Sequence, residues 1–401
     1  MLPAHRSSPL PSRRNLLAAA GIGGAVIGLA ACSSNQPPKP SPAADRSDEW
    51  RTLRIDSWET YGNTLGEDFP GIEEFAKQYD VDVSYWKAVT DDNLYYNDVK
   101  TRLASGSDIG ADAVVLSEWM VARWIRLGYT QQFALDAMPN TVNVRPRFRE
   151  AAFDPKRMHS MPWRSAITGI AWNRAEFPDG IRSVSQLWDP ALKGRVGVLS
   201  SMQETIGLIM LDAGVDISGA WGDAEFTAAT DTLRQHVVSG QVAAIQDSKY
   251  LDALTSGDIV AGFARSADIL RLNQAAAARA GSGEAFDEPW GFAIPAAGGV
   301  LWTQDLVVPI GSARKGNVEA FVNHYYEPTV AVQVAAATNY VSPVDIRDQE
   351  ASALDPAVAA NRLVFPTPVS LQGTKTFRHL AAAEEQRYVA QYQSVLLAAS
   401  S

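Results

Sequence analysis

The alternation of strand-like and helix-like segments from residue 52 onward limits the fold of this chain more than any other feature. Residues 52–58 and 81–86 carry the pattern of half-buried strands, and residues 113–116 form a short apolar run typical of a buried parallel strand. Residues 72–79 and 94–103 place apolar side chains at helical spacing. This β-α-β-α-β order predicts an α/β architecture with right-handed crossovers.

The chain is long enough for two domains, and its core must hold it together without disulfides. Of 401 residues, about 350 remain beyond the N-terminal region, which is enough for two domains. Cys32 is the only cysteine, so neither an intrachain disulfide nor a cysteine-based metal site can form. The formal net charge is −10. Such an acidic protein is a poor partner for nucleic acid, which needs a basic surface.

The N-terminus has the pattern of an export signal. Arg13 and Arg14 precede residues 16–31, which carry no charge and are rich in Ala, Gly, Leu and Ile. Sixteen residues are too few for a comfortable bilayer span, which disfavours a transmembrane anchor. Residues 1–31 are therefore predicted to be a signal peptide, and the paired arginines indicate export of the folded protein by the Tat route.

The end of this signal resembles a bacterial lipobox. The sequence Leu29-Ala30-Ala31-Cys32 closes the apolar run. The resemblance implies cleavage before Cys32 and a diacylglycerol group on its sulfur. Ser and Pro residues follow, so residues 32–51 are predicted to be a flexible tether. We expect an extracytoplasmic protein that is attached to the cell membrane by lipid alone.

The sequence lacks the common catalytic motifs. It has no Gly-x-Ser-x-Gly elbow, no Walker loop and no His-Glu-x-x-His. The five histidines are scattered along the chain, so we expect no metal site, no cofactor and no enzyme activity. The tyrosine pairs at 95–96 and 325–326 lie in helical patterns, which favours a role in packing over a role in binding.

The first and third predicted strands are each followed by polar and aromatic residues together. Ligands of α/β proteins bind beyond the carboxyl ends of the strands. Residues 58–61, Trp-Glu-Thr-Tyr, and residues 117–119, Ser-Glu-Trp, occupy these positions and have a composition typical of small-molecule sites. Capping of the core by the same aromatic side chains is the alternative interpretation.

Several segments resemble, in order, the spermidine/putrescine-binding proteins of bacterial ABC importers. The most extensive match is Ser183-Val-Ser-Gln-Leu-Trp-Asp-Pro-Ala-Leu-Lys-Gly-Arg195, against Ser-Trp-x-Asp-Leu-Trp-x-Pro-x-x-Lys-Gly in that family. The other matching segments are residues 57–61, 111–117, 153–155, 161–163, 169–173, 298–302 and 339–343. The resemblance extends from about residue 52 to 395.

This resemblance implies a two-lobe periplasmic-binding-protein fold of type II, with a hinge and a ligand cleft between the lobes. Lobe 1 is expected to comprise residues 52–166 and 304–350, and lobe 2 residues 167–303 and 351–398. Closure around a small molecule would then be recognised by the permease subunits of an ABC importer. We expect the protein to act as a monomer.

The resemblance also implies the ligand-binding residues. Positions that retain the residue type of the family are Trp58, Tyr61, Ser117, Trp119, Glu204, Trp302 and Tyr340, with Glu204 as the acid that binds an amine. Thr60, Ser201 and Gln304 stand where the family has acids, with Glu59 and Asp305 one place away. Arg378 stands where the family has glutamine.

These departures predict a ligand that is less cationic than spermidine. Buried ammonium groups need paired carboxylates, so the loss of three acids disfavours a long polyamine. A small organic amine is the first expectation. An amino acid derivative, an aminophosphonate or thiamine is the alternative, since Arg378 would favour a ligand with a carboxylate or phosphate group. An envelope lipoprotein that senses or scaffolds is a further alternative.

Overall fold

The computed structural model describes residues 39–58, 71–247, 249–280 and 286–399. The described residues form ten strands: β1 (Thr52–Trp58), β2 (Asp82–Val89), β3 (Ala113–Ser117), β4 (Met161–Asn173), β5 (Val196–Leu199), β6 (Val242–Gln246), β7 (Ala261–Arg265), β8 (Trp290–Ala293), β9 (Gly299–Val307) and β10 (Thr374–Lys375).

The α-helices of the described ranges fall mainly between these strands. They are α1 (Ile72–Tyr79), α2 (Asp92–Ala104), α3 (Glu118–Leu127), α4 (Met202–Asp212), α5 (Asp223–Val238), α6 (Tyr250–Ser256), α7 (Ser266–Ala280), α8 (Lys315–Tyr325), α9 (Pro328–Thr338), α10 (Asp348–Ala351), α11 (Pro356–Ala359), α12 (Pro368–Leu371) and α13 (Ala382–Ala399). None of these helices is both long and apolar enough to cross a bilayer.

All ten strands belong to one mixed sheet, with the main order β2-β1-β3-β9-β4-β7-β5-β6. The pairs β1–β2, β1–β3, β5–β6 and β5–β7 are parallel, as βαβ units require. The long strands β4 and β9 lie in the middle and pair antiparallel with each other. The predicted α/β class and the five predicted elements between residues 52 and 116 are confirmed.

Two large hydrophobic cores lie on the two sides of this central pair. One core gathers residues of β1, β3, α8 and α9, among them Ile55 and Phe321. The other gathers residues of β5, α4, α5 and α13, among them Ile206 and Phe226. We call the parts of the chain around the first and second core lobe 1 and lobe 2.

The chain changes from one core to the other within single strands. In β4, Ile167 is buried in the core of lobe 1, whereas Ile170 is buried in that of lobe 2. In β9, Val300 contributes to lobe 2 and Leu301 to lobe 1. The central pair therefore connects the lobes directly, and side chains near these positions lie between the two cores.

The last part of the chain also contributes to both lobes. Val364 and Phe365 pack with Val332 of α9, and Leu371 is buried in the core of lobe 1. Tyr388 of α13, in contrast, belongs to the core of lobe 2. We propose that the final return to lobe 2 follows residue 371. The other lobe boundaries stay predictions.

The prediction of a flexible tether is wrong for residues 39–50, while residues 32–38 lie outside the described ranges. The backbone N–H of Ala43 donates to the carbonyl of Ile310 over 2.9 Å. Asp45 and Ser47 accept hydrogen bonds from the backbone N–H groups of Gly316 and Asn317, over 3.1 and 3.0 Å. These two N–H groups lie in the first turn of α8 and have no partner within that helix, so the segment caps it.

The tyrosine pairs have the packing role that the sequence predicts. Tyr95 is buried in α2, and its hydroxyl donates to Asp56 over 2.9 Å. Tyr325 and Tyr326 are buried at the end of α8 and donate to backbone carbonyls of β4, each over 2.7 Å. Each buried hydroxyl is thus satisfied within lobe 1.

Candidate ligand-binding cleft

Two aromatic side chains and three arginines meet where the chain passes between the lobes. Trp302 of β9 and Tyr340, which follows α9, lie edge to face with their ring centroids 6.0 Å apart. The guanidinium groups of Arg164 and Arg271 lie 4.4 and 5.2 Å from the Tyr340 ring, and that of Arg265 lies 5.5 Å from the Trp302 ring. These distances are typical of cation–π contacts.

The carboxylate of Glu204, which is predicted to bind a ligand amine, is paired with side chains of the protein itself. Arg265 donates from Nε to Oε1 and from Nη2 to Oε2 of Glu204, over 2.9 and 2.7 Å. Thr168 donates to Oε1 over 2.5 Å. Glu204 is only 4% exposed. An internal guanidinium thus neutralises this carboxylate, and its role as an amine ligand stays a prediction.

The protonation states of this pair follow from their contacts. Burial on its own would raise the pKa of Glu204, but the charge and hydrogen bonds of Arg265 outweigh it and hold the pKa below its usual value. Burial would lower the pKa of Arg265, but Asp247 and Glu204 raise it well above the ordinary value. Both groups are therefore charged at neutral pH.

Gln304 and Ser201 have structural partners within the cleft region. Gln304 is buried, and its Oε1 accepts a hydrogen bond from Nε of Arg164 over 2.6 Å. Ser201 is the N-cap of α4 and accepts a hydrogen bond from the backbone N–H of Glu204 over 3.4 Å. Gln304 thus orients Arg164, and Ser201 orients Glu204.

The residues that follow β1 and β3 lie on the lobe 1 side. Trp58, at the end of β1, packs against two hydrophobic clusters of lobe 1. The indole N–H groups of Trp58 and Trp302 are buried, and neither has a hydrogen-bond partner among the described residues. An unpaired buried N–H group is costly, so each can donate to a ligand oxygen. Glu59, Thr60 and Tyr61 lie outside the described residues.

Trp119 lies where the two lobes meet at another point. The guanidinium of Arg123 is 5.0 Å from the Trp119 ring. Arg123 and Arg126, both of α3, form ion pairs with Glu385 of α13. Glu385 is buried, and the contact joins a helix of lobe 1 to a helix of lobe 2. Trp119 thus lies beside an interlobe ion pair.

Asp92 and Asp247 were not predicted, and they add negative charge from both lobes. Asp92, the first residue of α2, is buried and accepts a hydrogen bond from the backbone N–H of Ser117 over 3.2 Å. Burial raises the pKa of Asp92 to about 7, against the hydrogen bonds from Ser117, and the charges of Asp91 and Asp247 add to the rise. Because Asp247 follows β6, its effect on Asp92 acts between the lobes.

Asp247 also contacts the central arginine. Nη1 of Arg265 lies 2.7 Å from Oδ1 of Asp247. The same Oδ1 is buried without a hydrogen bond of good geometry among the described residues, so the contact is an ion pair only. This carboxylate retains a free acceptor direction.

Asp305, next to Gln304, pairs with an arginine inside the protein. It is fully buried, and its Oδ2 accepts a hydrogen bond from Nη1 of Arg157 over 2.8 Å. Glu118 lies near this pair. Burial, followed by the charge of Asp305, raises the pKa of Glu118 to about 8. Burial also raises the pKa of Asp305, against the charge and hydrogen bond of Arg157.

Arg378 is committed to lobe 2. Its Nη2 donates to Glu384 over 2.8 Å and to the carbonyl of Trp221 over 3.0 Å, and its guanidinium lies 4.0 Å from the Trp221 ring. A bidentate ion pair with a stacked indole holds the side chain in place. Its Nε is buried without a hydrogen-bond partner among the described residues, and the role of Arg378 in binding an anionic ligand group stays a prediction.

We expect the substitution Asp92→Asn to remove a pH-dependent loss of stability. The folded-state pKa is raised, so the contribution of Asp92 is fully present below pH 4 and is lost as the pH rises through about 7. Asparagine keeps the acceptor for Ser117 and cannot ionise. The variant should therefore unfold at higher urea concentration than the wild type at pH 8, by on the order of 1 kcal/mol in unfolding free energy.

The matched control for this measurement is Asp98→Asn. Asp98 is an exposed acid on the same helix and is not among the charges that raise the pKa of Asp92. The control should therefore keep the pH dependence of the wild type. Identical pH profiles for Asp92→Asn and the wild type would contradict the assigned burial of this charge.

Comparisons with known proteins agree with this architecture. Residues 72–364 match the model of a family described as bacterial extracellular solute-binding protein. The spermidine/putrescine-binding periplasmic protein of Escherichia coli is 24% identical over 344 residues, which cover 85% of this chain and 90% of that protein.

Two solved structures show the same fold. A spermidine/putrescine transporter substrate-binding protein from Streptococcus pneumoniae has a TM-score of 0.69 at 16% identity, and the match covers 87% of this chain and 99% of the other. A lipoprotein of Treponema pallidum has a TM-score of 0.69 at 21% identity, with 86% and 99% coverage. The resemblance inferred from the sequence and the predicted two-lobe fold are confirmed, and this chain belongs to the family of bacterial extracellular solute-binding proteins.

Proposed function

We propose that this protein captures a small organic amine with one positive charge and delivers it to an ABC importer, without catalysing a reaction. The observation that carries the proposal is the set of groups between the lobes: the aromatic faces of Trp302 and Tyr340, with the carboxyl groups of Asp92 in lobe 1 and Asp247 in lobe 2. The names of the Escherichia coli and Streptococcus pneumoniae proteins support an amine and an importer.

The charges supply a reason for closure on binding. Burial is the main cause of the raised pKa of Asp92, and the charge of Asp247 adds a smaller part, so the two carboxylates repel each other across the lobes. An ammonium group between them would turn this repulsion into attraction, so the ligand would bind the closed form more tightly than the open form. Aromatic faces beside the cation would add about 0.5–2 kcal/mol per contact.

The balance of charges favours a monoamine over a polyamine. Glu204 is neutralised by Arg265, and Asp305 by Arg157. Among the described residues, Asp92 has no ion pair, and Asp247 shares Arg265 with Glu204, so we place the ligand cation between Asp92 and Asp247. A second ammonium group would enter a region already occupied by guanidinium groups, where it would be repelled.

An amino acid derivative is the second candidate ligand. The buried indole N–H groups of Trp58 and Trp302 lack partners among the described residues and could donate to carboxylate oxygens. A zwitterion would then place its ammonium group near the acids and its carboxylate near the indoles. Aminophosphonates and thiamine are the other alternative ligands and are included in the ligand screen.

Native mass spectrometry of the protein purified without denaturation, followed by a thermal-shift screen, tests the ligand class. Monoamines and γ-aminobutyrate should raise the melting temperature in proportion to RT ln(1 + [L]/Kd), and spermidine should not. The substitution Asp247→Asn should weaken the shift, because it removes the carboxylate on the lobe 2 side.

The control for the screen is Asp231→Asn, an exposed acid on α5 that pairs with Arg234. This variant should respond to the ligand as the wild type does. Stabilisation by anions alone, with no effect of Asp247→Asn, would contradict the proposed amine ligand.

Attachment to the membrane through Cys32 is part of the proposal. Six residues lie between Cys32 and Lys39, the first residue of the segment that lies along lobe 1. At 3.3–3.6 Å per residue, the link from Cys32 to Lys39 spans at most about 25 Å. Export of a folded protein by the Tat route would suit a chain that needs no disulfides.

The substitution Cys32→Ser should release the protein from the membrane. Serine has no thiol for the lipid, so the variant should be found in the soluble extracytoplasmic fraction and should lack the mass of the lipid. Fractionation and intact mass measure both properties. A variant that stays in the membrane fraction at the mass of the wild type would contradict lipidation of Cys32.

A further inference from the structure

The guanidinium of Arg265 binds the carboxylate of Glu204 in the way that a ligand cation would. Its Nε and Nη2 atoms contact the two carboxylate oxygens over 2.9 and 2.7 Å, and the guanidinium lies 5.5 Å from the Trp302 ring. A carboxylate on one side and an indole face on the other form a complete environment for a positive group. The protein therefore supplies its own cation at this point of the cleft.

The backbone and the neighbouring side chains fix Arg265 in this position. It is the last residue of β7, and its backbone N–H donates to the hydroxyl of Tyr250 over 3.2 Å. Tyr250 is buried and donates in turn to Asp268 over 2.7 Å. Nη1 of Arg265 faces Asp247. Arg265 is thus held by Glu204 of α4, Asp247 after β6 and Tyr250 of α6, all in lobe 2.

Displacement of Arg265 by a ligand would be unfavourable. A buried ion pair that loses one partner leaves an uncompensated charge in a region of low dielectric. A ligand ammonium could take the guanidinium's place on Glu204 only if Arg265 moved to another acid or to water. Thr168, which also donates to Glu204, would keep the carboxylate oriented toward the present position of Arg265.

We propose that Arg265 determines the charge selectivity of the cleft: as a built-in counter-ion of Glu204, it excludes a second ligand cation and so rejects diamines and polyamines. This inference rests on the proposed capture of an amine only for the role of the selectivity in transport, since the contacts between Arg265 and Glu204 do not depend on that proposal. The vacancy that removal of Arg265 would create is a property of the protein itself. That vacancy should bind guanidinium and alkylammonium ions.

The first test is chemical rescue of Arg265→Ala. The variant should melt at a lower temperature than the wild type, because Glu204 loses its counter-ion. Millimolar ethylguanidinium or ethylammonium should restore several degrees of the melting temperature of the variant and should leave the wild type unchanged. The double variant Arg265→Ala/Glu204→Gln should not respond, because the acceptor carboxylate is gone.

The second test is binding of putrescine and spermidine by isothermal titration calorimetry. Arg265→Ala should bind at least one of them tenfold or more tightly than the wild type. Arg265→Gln preserves much of the side-chain volume and should show the same gain if the alanine variant fails to fold. Arg265→Lys keeps the charge and should still reject both ligands. Arg174→Ala, which removes an exposed ion pair with Glu288, is the control for general effects of charge.

The results separate this inference from the proposed function. Rescue and a gain in diamine binding would support the role of Arg265 even if the wild type captured no monoamine. Wild-type binding of putrescine within threefold of the Arg265→Ala or Arg265→Gln variant would overturn it. Absence of both chemical rescue and diamine binding in those variants would also overturn the role of Arg265. If the wild type still captured a monoamine, the proposed function would stand.

Discussion

The antiparallel pairing of β4 with β9 is the constraint on which the rest of the structure depends. The two strands lie at the centre of the sheet, and each contributes side chains to both hydrophobic cores. Backbone hydrogen bonds hold their register, so the residues at the crossing keep fixed relative positions. Trp302, Gln304 and Arg164 are all placed by this pair, and the cleft is therefore built on the strands that connect the two lobes.

The acidic side chains around this connection are of two kinds: some form ion pairs with internal arginines, and others are available to a ligand cation. Glu204 and Asp305 are compensated by Arg265 and Arg157 within the protein. Asp92 has no ion-pair partner among the described residues, and burial, followed by smaller contributions from Asp91 and Asp247, raises its pKa to about 7. Under the proposed function, a ligand cation would bind between Asp92 and lobe 2 and favour closure there, away from Glu204.

The sequence predicted the architecture well because strand and helix periodicities are local. The first five elements and the packing of the tyrosine pairs could be inferred, whereas Trp302 and Tyr340, which lie 6.0 Å apart, were indicated only by the family resemblance. The charge partners could not, because they join distant positions: Arg265 is 61 residues from Glu204, and Ser47 caps a helix that begins 268 residues later. Residues 39–50 have the composition of a tether, and only the tertiary structure gives them a partner. Asp247 and Arg265 lie at the ends of strands β6 and β7, where the crevice rule would have indicated them had those strands been assigned.

Small-angle X-ray scattering of the ligand-free and ligand-saturated protein tests the central claim, that a single cation draws the two lobes together. The ligand is the amine identified by the thermal-shift screen, and Asp247→Asn is measured in parallel. The account predicts a smaller radius of gyration for the saturated wild type and a reduced change for the variant at equal occupancy. An unchanged scattering profile at saturation would contradict closure driven by the ligand charge.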